Sequence, residues 1–268
     1  MKLVLFDMDG TLTPPRGKIQ HEMLEPLIEL QQSGYRVGII SGSDIDYITE
    51  QCNLLFGVNS YDFENSLWLP CNGTKQYTFE KSGNCSVVYD HDLKSEIGKE
   101  KYNRLISILL DSQIAIKYSL GTRDMPLSGT FIQYRGSTIN WCPIGRDATV
   151  EERNAWVTMD KRHNIRARML ERLRSFPVFE DLVVKLGGET SFDIFPKGWD
   201  KSYVLKNFGD HDAVWFIGDR CGENGNDKEL FDAIALRING ESFETTGPSK
   251  TIDIIRNKIL NQSGSNKR

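Results

Sequence analysis

This 268-residue chain is notable first for what it lacks. No stretch approaches the ~18 consecutive apolar residues that a membrane-spanning helix requires, so no membrane partner is expected. The five cysteines, Cys52, Cys71, Cys85, Cys142 and Cys221, are odd in number, scattered and without CxxC spacing, which indicates neither a disulfide framework nor a zinc site. Positive charge is not in excess. With 33 Lys and Arg against 37 Asp and Glu, the net charge is −4, so no global basic field draws nucleic acid and any anion site must be a local cluster. No cleavable signal pattern precedes the first strand, since Met1-Lys2 runs directly into Leu3-Val4-Leu5-Phe6, and a cytoplasmic location is expected. The N-x-S/T sequons at Asn72, Asn84 and Asn261 carry little weight without a secretory route. There is no internal repeat and no low-complexity block.

What is present is an ordinary balance for a globular protein, 39% apolar and 26% charged, with enough chain for one large or two small domains. The most informative segment is Asp7-Met8-Asp9-Gly10-Thr11-Leu12-Thr13, directly after an apolar strand. Side chains alternate along a strand, so Asp7 and Asp9 leave its end on the same side and share one small space. Like charges that close need a metal ion, a shared proton, or both. Such a pair suits phosphoryl transfer: one carboxylate attacks phosphorus and the other moves a proton. The same string also reads as an acidic turn with Gly10 supplying positive φ.

Downstream, Ile19, Met23, Leu24, Leu27, Ile28 and Leu30 have helical spacing, closed by Gly34 where a left-handed cap is expected. Arg36 to Ile40 reads as a strand, Ser41-Gly42-Ser43-Asp44 as a loop, and the next helix runs to about Cys52. Strand, helix, strand implies a parallel sheet, whose sites lie at the carboxyl ends of the strands. The C-terminal third repeats this grammar, with strands at 213–217 and 234–238, a helix from Asn226 to Ala233, and a Ser249-capped helix to about Leu260. A polar, frayed tail from Asn261 to Arg268 closes the chain. The middle alternates differently. Gly129 to Arg135 and Ser137 to Cys142 predict an antiparallel hairpin, and Glu151 to Phe176 is a charged helical region. The fold class is therefore α/β, a Rossmann-like parallel core from residues 1–80 and 196–268, with an inserted α+β cap at 81–195.

Four distant pieces converge on the sheet's carboxyl edge: Asp7 with Asp9, Ser43, Lys201, and Asp219 followed by Gly225-Asn226-Asp227. A nucleophilic Asp, a hydroxyl donor, a fixed ammonium and distal carboxylates for Mg²⁺ make up a phosphoryl-transfer site. This arrangement resembles the haloacid dehalogenase superfamily. Further strings, among them Thr11 to Arg16, Gly129 to Arg146, Glu151-Glu152-Arg153 and the long run Gly187 to Lys201, resemble the eukaryotic-type phosphomannomutases.

That resemblance implies that Asp7 carries the phosphoryl group, that Asp9 is the general acid and base, and that Mg²⁺ is held by Asp7, the Asp9 carbonyl and Asp219 with Asp227 in support. Asp227 reads equally well as a charge favoured at a helix N-terminus, and Asn226 as a cap. It implies that Arg135, Arg146 and Arg153, with Arg16, bind the phosphate not being transferred, that Ser191 contacts phosphate or sugar, and that Asp193 contacts sugar hydroxyls. Guanidinium forks suit that task. Arg162, Arg166, Arg168, Arg172 and Arg174 read instead as a solvated helix face against Asp160 and Glu171.

The implied reaction interconverts mannose 1-phosphate and mannose 6-phosphate through a hexose 1,6-bisphosphate, which also serves as activator, and feeds GDP-mannose synthesis. The implied assembly is a homodimer joined through the caps. Two departures from the family pattern stand out. The segment after Phe231 is too short for the loop carrying a peripheral cation site, and Cys71-Asn72-Gly73 replaces Glu-Asn-Gly. The rival readings are a sugar-phosphate phosphatase of the same superfamily and a non-catalytic phosphosugar-binding protein. Intact polar clusters oppose the latter, since they cost stability without a use.

Overall fold

The computed structural model describes residues 1–119, 125–223 and 225–261. Strand β1 (Lys2–Asp7) is buried along all but its first residue. Its alternating side chains divide between two cores: Leu3 and Leu5 pack with Ile40, Leu67 and Phe216, while Val4 and Phe6 pack with Val37, Ile39, Trp68 and Ile217. Helix α1 (His21–Gln32) buries Met23, Leu24, Leu27 and Leu30, and Gly34 leaves it with the expected positive φ of 83°. Strand β2 (Arg36–Ile40) falls where the sequence placed it. Asp44 caps α2 (Ile45–Gln51) by accepting from the Tyr47 amide, and β3 (Ser66–Leu69) follows. Strands β4 (Lys75–Phe79) and β5 (Cys85–Asp90) then form an antiparallel hairpin.

The middle of the chain builds α3 (Leu93–Ile97), α4 (Lys99–Ser119), β6 (Ile132–Tyr134) and β7 (Ile139–Trp141). Next come α5 (Val150–His163), α6 (Ile165–Arg174), β8 (Leu182–Gly187) and β9 (Ser191–Pro196). Its four strands pair antiparallel in the order β6-β7-β9-β8, so the predicted hairpin is present. Trp141 stacks on Phe192 at 4.8 Å and donates to Gln113 of α4 at 2.9 Å, which fixes helix to sheet. The charged helical region divides into two helices at Asn164, whose φ of 51° turns the chain between α5 and α6.

The chain then returns through β10 (Ala213–Gly218), α7 (Lys228–Ala235), β11 (Gly240–Glu244) and α8 (Pro248–Ile254). The resulting seven-stranded sheet has the order β11-β10-β1-β2-β3-β4-β5. It is parallel from β11 to β3 and antiparallel at β4 and β5. The chain forms two compact units, residues 1–90 with 198–268, and residues 91–197. The first boundary falls ten residues later than the 81 expected, because Cys85–Asp90 pairs with β4 of the larger sheet.

Two elements are corrected. Residues 234–238 are not a strand. Ile234 is the buried last turn of α7, spaced four from buried Leu230, whereas Leu236 and Ile238 are 87% and 95% exposed. The strand comes later, as β11. Ser249 does not cap the last helix. Pro248 occupies its first turn after Gly247, and wider turns over Ile255–Leu260 carry it to the predicted end. The tail beyond Asn261 lies outside the described residues. Among the described residues no helix is long and apolar enough to cross a membrane.

Candidate active site

Asp7 ends β1 and is 4% exposed. The loop after it coils round the Met8 carbonyl, which accepts the amides of Thr11, Leu12 and Thr13 at 3.0–3.2 Å. Gly10 holds a φ of 84°, and a Cβ there would collide with the Asp219 carboxylate. Positive φ and close approach both select glycine. Lys201 opens the turn Lys201–Asn207, whose start is capped by Asp200. Its side chain is fully buried, and Nζ donates to Asp7 Oδ1 and, at 2.5 Å, to Asp227 Oδ1.

Asp227 is also fully buried. It sits at the N-cap position of α7 yet makes no capping bond, and its Oδ2 accepts the Arg220 amide at 3.0 Å. Both of its readings from sequence keep a basis: it stands at the N-terminus of α7, and its carboxylate also joins those of Asp7 and Asp219. Asn226 does not take the cap position.

Among the described residues, Asp7, Asp219 and Asp227 offer carboxylate oxygens within 4.8 Å of one another. Burial pushes the Asp7 carboxyl up to about 8, with Lys201 pulling it down and Asp227 and Asp219 pushing it up further. Asp219 is pushed up to about 6, first by burial and then by Asp227. Burial alone would pull Lys201 down, but Asp227 and Asp7 outweigh it and hold the ammonium firmly charged. Three carboxylates around one ammonium leave the cluster a cation short. Its all-oxygen donor set suits a hard divalent ion such as Mg²⁺. The like charges crowding Asp7 are thus Asp227 and Asp219.

Asp9 turns elsewhere. Its Oδ1 accepts the Arg16 amide at 2.9 Å and the Tyr47 hydroxyl at 3.1 Å. The capped start of α2 sets Tyr47 in place, three residues after Asp44. Burial and then the Asp9 charge push the Tyr47 phenol up to about 12, so it stays a donor. Arg16 meets Asp9 through its backbone, held at a φ of 56°, while the residue itself is exposed. Ser43 lies past the carboxyl end of β2, the strand paired with β1. Its carbonyl accepts from the Cys71 amide at 2.8 Å, and the Ser41 carbonyl accepts from the Asn72 amide at 2.7 Å. Cys71 and Asn72 adopt φ values of 51° and 62°, so the departure at Cys71-Asn72-Gly73 falls on a left-handed turn laced to the Ser43 loop.

The second unit carries a different set. Arg146 donates to Asn140 at 2.8 Å, Arg153 to Thr190 at 3.2 Å, and Arg135 to Gln133 at 3.1 Å. Partial burial and the nearby Arg135 and Arg153 charges pull the Arg146 guanidinium below its usual range, which marks a concentrated positive patch. Asn140 also donates to Ser191 Oγ at 3.0 Å and Asp193 Oδ1 at 2.7 Å, joining three of the expected substrate residues. A Cβ at Gly187 would press on Asp193 and Ser191. Asn140, Thr190 and Tyr47 were not found from the sequence. Asn140 alone left a trace there, a polar residue between the apolar Ile139 and Trp141. Arg166 is corrected. It is no solvated charge but a partly buried partner of buried Asp160.

Residues 23–262 match the eukaryotic phosphomannomutase family over most of the chain. The chain belongs to that family. A phosphomannomutase of Schizosaccharomyces pombe is 37% identical over 269 residues, covering 97% of this chain and 94% of the relative. One from Spinacia oleracea is 38% identical over 230 residues, covering 85% and 86%. The fold has wider neighbours. An N-terminally truncated Plasmodium falciparum IMP-nucleotidase superposes with a TM-score of 0.61 at 15% identity, over 97% of this chain and 70% of that one. An IMP-bound mutant of the same nucleotidase superposes with a TM-score of 0.59 at 15% identity, over 96% of this chain and 66% of that one. That likeness is one of fold. The architecture of this chain, a mostly parallel sheet in the first unit and an antiparallel sheet in the second, is the α/β class with an α+β insertion expected from the sequence.

Proposed function

We propose that this chain interconverts mannose 1-phosphate and mannose 6-phosphate by way of a phosphoryl group carried on Asp7. The observation that carries the reading is that one chain holds two separate anion-handling sets. A buried carboxylate and lysine cluster lies in the first unit, and a crowded guanidinium patch tied to Asn140 in the second. Hydrolysis of a phosphate monoester needs only the first. A reaction whose substrate carries a second phosphate has a use for both. The name shared by the curated relatives supports mannose as the sugar.

In this reading the C6 hydroxyl of mannose 1-phosphate attacks phospho-Asp7. Asp9 takes its proton as the new O–P bond forms and the Asp7–phosphorus bond breaks. The hexose 1,6-bisphosphate turns over, Asp7 attacks the phosphorus at C1, and Asp9 returns the proton to the departing O1, leaving mannose 6-phosphate. The Asp9 oxygen held by Tyr47 and Arg16 is fixed, so the other is free for that proton. Lys201 offsets charge on Asp7 throughout. Mg²⁺ held by Asp7 and Asp219, with Asp227, would neutralise charge on the transferring phosphoryl group. The second-unit arginines bind the phosphate that stays, and Asp193 and Ser191 meet the sugar.

Exposed Leu110, Ile114 and Tyr118, spaced by four along α4, support self-association through the second unit as a homodimer. The test is isomer formation from mannose 1-phosphate or glucose 1-phosphate with Mg²⁺ and a trace of hexose 1,6-bisphosphate. Hexose 6-phosphate is expected, abolished by Asp7→Asn. Release of free phosphate without isomer would establish the phosphatase reading instead.

A further inference from the structure

The left-handed residue Asn164 turns the chain between α5 and α6, and Arg166 meets Asp160 near the end of α5. There its amide donates to Asp160 Oδ1 at 2.7 Å and its Nε to Asp160 Oδ2 at 2.6 Å, so both carboxylate oxygens are engaged by one residue. Asp160 is 8% exposed. Another guanidinium nitrogen, Nη1, reaches out of the pair to two main-chain oxygens, Gly188 O at 3.0 Å and Ser191 O at 3.4 Å. Gly188 lies in the tight turn between β8 and β9, and Ser191 is the first residue of β9 that the turn leads into.

That turn presents its side chains to the guanidinium patch. Ser191 Oγ donates to Gly187 O at 2.7 Å and accepts from Asn140, and Thr190 Oγ1 accepts from Arg153. One segment is therefore gripped through its carbonyls by Arg166 while its hydroxyls contact Asn140 and Arg153. A hairpin of two well-paired strands closes without a buried ion pair. Taking two charges out of water carries a desolvation cost that such a pair does not always recover. What the pair adds is a fixed placement. Only arginine has donors pointing at the carboxylate and the carbonyls at once; a lysine is a point charge on a flexible stem.

We propose that the Asp160–Arg166 pair is a positioning device for sugar-phosphate recognition, setting the β8–β9 turn so that Thr190 and Ser191 meet Arg153 and Asn140 in register. This rests on the assignment of substrate binding to the second unit. Neither residue touches substrate. Loss of the pair weakens the grip on the non-transferring phosphate and the sugar, leaving the Asp7 chemistry of the first unit intact.

The test compares Arg166→Gln, Arg166→Lys and the charge-neutral double variant Asp160→Asn/Arg166→Gln, which strands no buried charge, in the full chain. Ser191→Ala is run beside them. Mutase kinetics are measured with mannose 1-phosphate and Mg²⁺, together with the melting temperature. The neutral variants are expected to raise KM about tenfold with kcat within about twofold, the pattern of lost uniform binding. Arg166→Lys should fall between them and the parent. Combined with Ser191→Ala, Arg166→Gln should raise KM by less than the product of the two single effects, because both act on one turn. A lowered melting temperature with KM unchanged in every Arg166 variant, while Ser191→Ala raises KM, overturns the positioning role and leaves the substrate assignment standing. If Ser191→Ala is also without effect on KM, the substrate assignment falls and this inference with it.

Discussion

Lys201→Met isolates the role of the ammonium buried beside Asp7 and Asp227. Methionine has nearly the length of lysine without its charge, so the change removes the cation and little volume. Asp7 and Asp227, both contacted by Nζ and both nearly inaccessible to water, would then face each other uncompensated. Breaking a buried ion pair from one side costs about 3–5 kcal/mol. For a body of this size each kcal/mol moves the melting midpoint by about 2–4 °C, so the first unit should melt roughly 6–20 °C lower. The loss should be smaller at pH 5, where protons replace the missing cation, than at pH 8. Adding Asp227→Asn should recover part of it by removing one of the opposed charges. Millimolar Mg²⁺ should recover part as well, by binding the folded state. Turnover should fall about 10²–10³-fold, as for loss of a charge aimed at the reacting phosphoryl group. The assay is thermal unfolding of parent, single and double variants in EDTA and in Mg²⁺ at both pH values. A Lys201→Met protein melting within about 2 °C of the parent in EDTA, or a double variant less stable than the single, would refute the assignment of Lys201 as the cluster's counter-charge.

Three further outcomes are expected. In EDTA, Asp7 at about 8 and Asp219 at about 6, both raised chiefly by burial from an ordinary 3.8, keep protons that the unfolded chain has released. The folded state then binds more protons, so stability should fall as pH rises from about 4 to 8, and Mg²⁺ should flatten the slope; denaturant unfolding across that range checks it, and rising stability would contradict it. Tyr47→Phe should lower kcat roughly tenfold at constant KM, the cost of about 1.5 kcal/mol for a hydrogen bond to a charged group, and the effect should vanish in an Asp9→Asn background. A KM effect alone would place Tyr47 elsewhere. Ile114→Glu should convert a dimeric parent to monomers in light scattering; a monomeric parent would remove the role given to the α4 stripe.

Much of the core was legible because its signals are local. A strand, a small-residue loop and a carboxylate follow one another in the chain at Asp7 and again at Asp219, and β2 is bounded by a helix cap and a serine loop. The misplaced strand at 234–238 shows the limit of periodicity. Alternating Ile234, Leu236 and Ile238 fits a strand, but the fold uses Ile234 as a helix face and leaves the other two exposed. The boundary near residue 81 was missed for a different reason. The run Val87-Val88-Tyr89 suits a strand in either unit, and its partner, β4, is a choice that the local sequence does not name. Arg166 was misread because its spacing from Asp160 and Glu171 suits a solvated helix face, whereas the left-handed Asn164 between them redirects it onto buried Asp160. Asn140 and Tyr47 owe their places to register and to a cap, which exist only after the backbone has folded.

The position of β1 carries a consequence for biosynthesis. Its flanking strands are β2, made at once, and β10, whose Ala213 pairs with Lys2. Until the ribosome has delivered that distant segment, the nascent sheet holds an open, strongly apolar edge at β1. The intervening unit is contiguous and free to mature first. Termination after residue 197 but before β10 would therefore yield a complete inner body trailing an adhesive amino-terminal segment whose sheet lacks one flank, a product suited to capture by chaperones.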